Sequence, residues 1–203
     1  MNIAIIDYGM GNLGSIKNML SYLGKESEIT RNKDFILSAD KIILPGVGSF
    51  DAAMTNLINL DLKSVLEEAV RHKKIHTLGI CLGMQLLTRS SEEGNMDGLG
   101  FIPSTTRKFN FDQPDIKVPH MGWNYVDVKN TSNIARDLPD DSRFYFVHSY
   151  YVEVDSQENS LFKTNYSINF DSGIYKENIY GVQFHPEKSH KFGMKILSNF
   201  INI

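Results

Sequence analysis

Residues 79–85, GICLGMQ, hold the chain's only cysteine, Cys81, between Gly79 and Gly83 at the end of the apolar run HTLGI. An apolar run that ends at a glycine-flanked residue and passes into LGMQLL reads as a buried strand turning sharply into a helix. The same signature occurs twice upstream. NIAIID, residues 2–7, leads into YGMGN, and GSIKNMLSYLG, residues 14–24, then sets Ile16, Met19, Leu20 and Leu23 at i, i+3, i+4 and i+7 with Gly24 as the stop. KIIL, residues 41–44, leads into PGVGSF, and helical positions follow at Met54, Leu57, Ile58, Leu62, Val65, Leu66, Ala69 and Val70. Three strand–helix alternations predict an α/β fold, an open and mostly parallel sheet flanked by helices. LGMQLLTRSSEEG, residues 82–94, is expected to be helical up to its closing glycine.

Beyond Arg107 the texture changes. KVPHMGWNYVDV, RFYFVHSYYVEV and NIYGVQF are rich in aromatic and β-branched residues and are separated by Asn, Asp, Gly and Ser clusters. They predict additional, partly antiparallel strands in the C-terminal half. Residues 189–202 return to helical spacing. No linker, repeat or low-complexity tract divides the 203 residues, so one domain over 1–203 is expected.

Composition excludes some classes of function. A net charge of −3 gives no basic footprint for nucleic acid, and Arg71-His72-Lys73-Lys74 reads as a solvated helix end. No apolar run approaches the roughly 18 residues of a membrane span, and no leader pattern opens the sequence. A lone cysteine permits no internal disulfide, so a cytoplasmic location is expected.

A lone cysteine is ordinarily a small buried hydrophobe. At a strand–turn–helix junction it instead fits a nucleophile elbow, whose side chain stands at the carboxyl edge of the sheet. A thiol nucleophile needs a base, and the base an orienting group. FHPEKS supplies both as His185 and Glu187, two residues apart. In an extended segment, which Pro186 favours over helix, their side chains leave the same face. Acyl chemistry also needs donors for the oxyanion. The backbone at Gly46, Val47 and Gly48 after the KIIL strand, and the N–H of Leu82 after the nucleophile, are the candidates. His120 and His148 lie in aromatic contexts that read as packing or binding. Trp123 reads either as a core aromatic or as an interface anchor, and Asn12 with Gly9 and Gly11 as a plain turn or a contact loop.

Taken in order, PGVGSF, GICLGMQ and QFHPEKS resemble the class I glutamine amidotransferases. The resemblance implies Cys81 as nucleophile, His185 as general base and then acid, and Glu187 as the group that orients it. The reaction would proceed through a γ-glutamyl thioester, with no metal and no cofactor. IIDYGMGNLGSI, VPHMGWN and FYFVHSYY resemble the glutaminase subunits of imidazole glycerol phosphate synthases. That likeness implies glutamine contacts at Gly48, Gln85, Ser149 and Tyr150. It also implies a partner interface at Asn12, His120, Met121 and Trp123, and a separate (β/α)₈-barrel cyclase subunit that receives ammonia to make imidazole glycerol phosphate and the aminoimidazole carboxamide ribotide of histidine biosynthesis. Such a barrel takes about 250 residues and has no room here.

Two features depart from the pattern. Gly173 stands where the family carries a small apolar strand residue, and SHKFGMKILSNF, residues 189–200, is similar to paralogues encoded with surface-polysaccharide genes. An alternative is therefore the same glutaminase feeding a related barrel that amidinates a sugar. Further alternatives are a stand-alone γ-glutamyl cysteine hydrolase and a catalytically silent docking protein. The glycines around Val47 also suggest a loop that presents its N–H groups only when a loaded partner binds.

Overall fold

The computed structural model describes residues 1–111 and 115–203. The N-terminal half alternates strands and helices: β1 (Ile3–Ile6), α1 (Leu13–Tyr22), β2 (Glu28–Thr30), α2 (Lys33–Ser38), β3 (Lys41–Gly46), α3 (Phe50–Asn59), α4 (Leu62–Glu67), β4 (His76–Cys81) and α5 (Leu82–Leu86). The C-terminal half adds β5 (Ser104–Lys108), β6 (His120–Tyr125), β7 (Asp127–Val128), β8 (Arg143–His148), β9 (Tyr150–Val154), β10 (Ser160–Tyr166), β11 (Ile168–Lys176) and β12 (Ile179–Val182). Helix α6 (His190–Ile201) closes the series.

The central sheet runs β2-β1-β3-β4-β12 with every pairing parallel, then continues through antiparallel β11, β10 and β7, while β9 pairs with β11 and β5. This is the expected open, mostly parallel sheet with antiparallel additions. Strand pattern sets the layers. Alternate residues of a strand face opposite sides, so Ala4 and Ile6 pack with Ile36, Phe50, Leu57 and Met84 on one face. Ile3 and Ile5 pack with Ile16, Leu20, Ile196 and Phe200 on the other. Helices α2 to α5 thus cover one side and α1 with α6 the second. Ile196, Leu197 and Phe200 on α6 are fully buried, each contributing on the order of 2 kcal/mol of apolar burial. A separate two-stranded sheet, β6 with β8 in antiparallel register, stands beside the main one. Among the described residues no helix is long and apolar enough to cross a membrane.

Several expectations need correction. Helix α5 ends at Leu86 instead of running to Gly94. Long-range pairing takes over the backbone: the Leu86 carbonyl accepts from Leu99 N–H, and Arg89 N–H donates to the Ser104 carbonyl. The helical stretch after PGVGSF divides at Asp61, whose left-handed backbone (φ 55°) separates α3 from α4, and Ile58 is exposed. Strand β2 and helix α2 are too short to show a clear periodicity in the sequence. Gly173 has a packing reason, because a Cβ there would lie 2.3 Å from the Phe162 ring, which occupies the space.

Candidate active site

The carboxyl ends of β1, β3, β4 and β12 meet at one edge of the sheet, where open α/β sheets place their ligands. Cys81 is the last residue of β4 and directly precedes α5. Its backbone (φ 55°, ψ −113°) lies in a region that side chains rarely occupy, a strain of order 1–3 kcal/mol. Close packing holds it there. A Cβ on Gly83 would sit 1.8 Å from the Leu44 carbonyl oxygen, so only glycine lets the first turn of α5 press onto β3. The elbow expected from GICLGMQ is present, built on that contact.

His185 follows β12 and is buried; its N–H donates to the Tyr145 carbonyl at 2.9 Å, and its own carbonyl accepts from Ser189 Oγ at 2.6 Å. Ser189 Oγ in turn accepts from Tyr145 N–H at 3.0 Å, tying the histidine segment to β8. Nδ1 of His185 donates to Glu187 Oε1 at 2.8 Å, and both side chains are buried. The expected extended HPE segment is instead a 3₁₀ turn over Pro186–Lys188, with Pro186 at its start, where a missing N–H costs nothing. The turn still brings carboxylate to ring. Nε2, the other ring nitrogen, is buried with no hydrogen-bond partner among the described residues. Burial opposes the imidazolium, but the Cys81 sulfur and the Glu187 carboxylate outweigh it and hold the His185 pKa at about 10. The histidine therefore rests charged near neutrality.

Cys81 and His185 line a cavity of about 330 Å³ together with Val47, Gly48, Leu82, Gln85, Ser149 and Tyr150. Gly46 pairs in register with Cys81 across β3 and β4, which sets the start of the Gly46–Gly48 loop beside the sulfur. Tyr8 Oη donates to the Pro45 carbonyl at 2.6 Å and fixes the entrance of that loop. Burial, and then the neighbouring Cys81, raise the Tyr8 pKa and keep the phenol protonated. Val47 is exposed, and Gly48 has φ 114°. As the first residue of α5, Leu82 has an N–H with no intrahelical acceptor.

Glu93 and His148 also line the cavity. Glu93 is hidden in the sequence, where residues 82–94 have the look of one helix; the actual turn carries it to the cavity rim, where Oε2 accepts from Phe50 N–H at 2.9 Å. Burial raises its pKa, and the Phe50 N–H, which favours the carboxylate, opposes that shift. His148 is buried, and burial pulls its pKa down to about 3.

The expected interface residues separate. His120 is buried against the core, with Nδ1 2.9 Å from His148 Nε2, so its side chain offers nothing to a partner. Its neighbours on the other face of β6, Met121 and Trp123, are 62% and 44% exposed. Trp123 is thus a surface aromatic, stacked on His190 with Arg143 over its ring. Asn12 precedes α1, half-buried, and accepts from Ser15 Oγ at 2.9 Å.

Comparison with known proteins bears directly on this arrangement. The sequence matches the family described as glutamine amidotransferase class-I over residues 4–203. It is 56% identical over 199 residues to the imidazole glycerol phosphate synthase subunit HisH 2 of Methanococcus maripaludis, covering 98% of each chain. It is 44% identical over 201 residues to the subunit HisH 2 of Pseudomonas aeruginosa, covering 99% of each. A solved glutamine amidotransferase superposes with a TM-score of 0.77 at 14% identity, over 98% of this chain and 97% of that one, a likeness of fold alone. The cysteine elbow, the buried histidine–glutamate pair and this near-complete match together show that the chain belongs to the class I glutamine amidotransferases.

Proposed function

We propose that this chain is a glutaminase subunit that hydrolyses glutamine to glutamate and ammonia and passes the ammonia to a (β/α)₈-barrel cyclase subunit of histidine biosynthesis. The observation that carries the reading is the pairing of a strained cysteine with a buried histidine. The histidine's Nδ1 is fixed by Glu187, and its buried Nε2 has no partner among the described residues. The near full-length match to imidazole glycerol phosphate synthase subunits supports the pathway.

The geometry supports the following steps. The Cys81 sulfur attacks the side-chain amide carbon of glutamine, and the charge that develops on oxygen is met by N–H groups of Leu82 and the Gly46–Gly48 loop, donors of a kind each worth roughly 10²–10³ in rate. His185 Nε2–H protonates the departing nitrogen, and ammonia leaves. Water then gives its proton to Nε2 and adds to the thioester carbon. The C–S bond breaks with its electron pair returning to sulfur, and glutamate is released. Glu93 lies at the rim as a partner for the substrate's α-ammonium group, and Gln85, Ser149 and Tyr150 complete the walls.

Pro119 lines the same cavity and leads directly into β6, so the exposed face bearing Met121 and Trp123 adjoins the site. That adjacency supports a partner docked on β6, with Asn12 as a further contact. Truncating an exposed aromatic anchor typically costs about 2 kcal/mol or more of binding. Trp123→Ala is accordingly expected to weaken the complex by at least about 30-fold, measured by calorimetric titration with the cyclase, while Cys81 keeps its reactivity toward a glutamine-analogue chloroketone.

The test of the function is glutamate release by the chain alone and with the cyclase plus its ribonucleotide ligand. Strong stimulation is expected, because the exposed, glycine-flanked Val47 peptide is free to reorient when a partner loads the site. Equal turnover with and without the partner would sink the coupling. Stimulation only by a sugar-amidinating barrel would instead favour the second reading, which rests on the likeness of residues 189–200.

A further inference from the structure

Gln183 has no role in the scheme above, yet it is fully buried and touches the nucleophile, with Nε2 3.7 Å from Cys81 Sγ. An amide can present either end to a neighbour, and its surroundings decide which. Here a main-chain carbonyl decides. The Tyr150 carbonyl can only accept, and it receives Gln85 Nε2–H at 3.2 Å and His148 Nδ1–H at 2.7 Å. Gln85 must therefore turn its amino group inward, and its second hydrogen goes to Gln183 Oε1 at 3.0 Å. With its oxygen so engaged, Gln183 faces the sulfur with N–H. The histidines obey the same sense: His148 Nε2 accepts from His120 Nδ1–H at 2.9 Å, and His120 Nε2 from Asn124 Nδ2–H at 3.2 Å.

We propose that Gln183 is a catalytic hydrogen-bond donor to the Cys81 sulfur and that Gln85, anchored on the Tyr150 carbonyl, is the positioning residue that sets its polarity. The proposal rests on the glutaminase reading and deepens it. Its effect falls on the second half-reaction. When the thioester's tetrahedral adduct collapses, the C–S bond breaks, the electron pair goes to sulfur, and an N–H is already directed at the charge. A hydrogen bond to a charged group is worth enough to change a rate by about 10- to 100-fold.

The experiment compares wild type, Gln183→Met and Gln85→Met, each in complex with the cyclase, by steady-state glutaminase kinetics and by intact-mass analysis after acid quench. Gln183→Met keeps the side chain's length and removes the donor. It is expected to lower kcat by about 10- to 100-fold, to lower KM with it so that kcat/KM stays nearly unchanged, and to accumulate a γ-glutamyl adduct on Cys81. Gln85→Met frees the Gln183 amide to turn over, so adduct is expected there too. A merely structural glutamine would slow formation and breakdown of the thioester together and leave no adduct, and that result overturns the proposal, as does wild-type kcat in Gln183→Met. If Gln183→Met does not fold, Gln85→Met decides by the same readout at saturating glutamine: adduct supports the relay, and a lowered kcat without adduct refutes it. Failure of the glutaminase reading is separate, since wild type itself would then release no glutamate.

Discussion

Cys81→Ala is expected to release no measurable glutamate from glutamine, a loss of about 10⁴-fold or more, while the protein folds and binds its partner as before. Alanine keeps the Cβ and so keeps the backbone strain at φ 55° and the packing of α5 on β3. Only the sulfur is lost. Substantial residual turnover would move the nucleophile elsewhere. The same substitution has a second readout at His185. The sulfur and Glu187 together raise that histidine's pKa against burial, so in wild type an NMR titration should place it near 10, and in Cys81→Ala clearly lower. The sign for stability follows. A folded-state pKa raised above the unfolded value of about 6.5 contributes fully below pH 6.5 and is lost as pH climbs toward 10. Denaturant unfolding should accordingly show wild type losing stability relative to Cys81→Ala across that window. A constant difference between the two proteins would mean that the sulfur does not hold the proton on His185.

Legibility in the sequence followed the physics of each segment. Strands β1, β3 and β4 were plain because buried parallel strands read as continuous apolar runs, and glycine turns punctuate them. The Cys81 elbow and the His185–Glu187 pair were legible for a related reason: both are local patterns, and local patterns survive in one dimension. The HPE conformation was not, since proline at the first position of a 3₁₀ turn and proline in an extended segment look alike in sequence. Glu93 and Gln183 were missed for a different reason. Glu93 reaches the cavity only because Leu99 and Ser104, distant in sequence, capture the backbone after α5. Gln183 meets Cys81, 102 residues away, and Gln85, 98 residues away, only in the folded chain. His120 shows the converse error: adjacency to Met121 and Trp123 suggested a shared surface, but strand alternation sends it to the opposite face, into the core.

Gly83→Ala is expected to damage stability and activity together, and the pairing is what identifies the elbow as a shared element of fold and site. Its Cβ would lie 1.8 Å from the Leu44 oxygen and 2.8 Å from the Leu44 carbonyl carbon, both backbone atoms of β3 that cannot rotate away. Relief requires α5 and the end of β3 to part. Overpacking against rigid backbone costs typically 1–3 kcal/mol and sometimes more, so a loss of about 3 kcal/mol is expected by denaturant unfolding. The separation also moves Leu82 and the Gly46–Gly48 loop relative to Cys81, because the loop begins two residues beyond Leu44. A shift of about 1 Å in such a constellation costs on the order of 10²-fold in rate, so folded Gly83→Ala is expected to lose kcat by that factor. Gly14→Ala supplies the contrast. Gly14 lies in α1 with no atom within 4 Å of its added Cβ, so alanine there should be neutral or stabilising by roughly 0.5–1 kcal/mol, with kcat unchanged. If Gly83→Ala retained wild-type kcat at its reduced stability, contact between α5 and β3 would be a packing feature only, and the alignment of sulfur with oxyanion donors would have to be set by other contacts, such as Tyr8 on the Pro45 carbonyl.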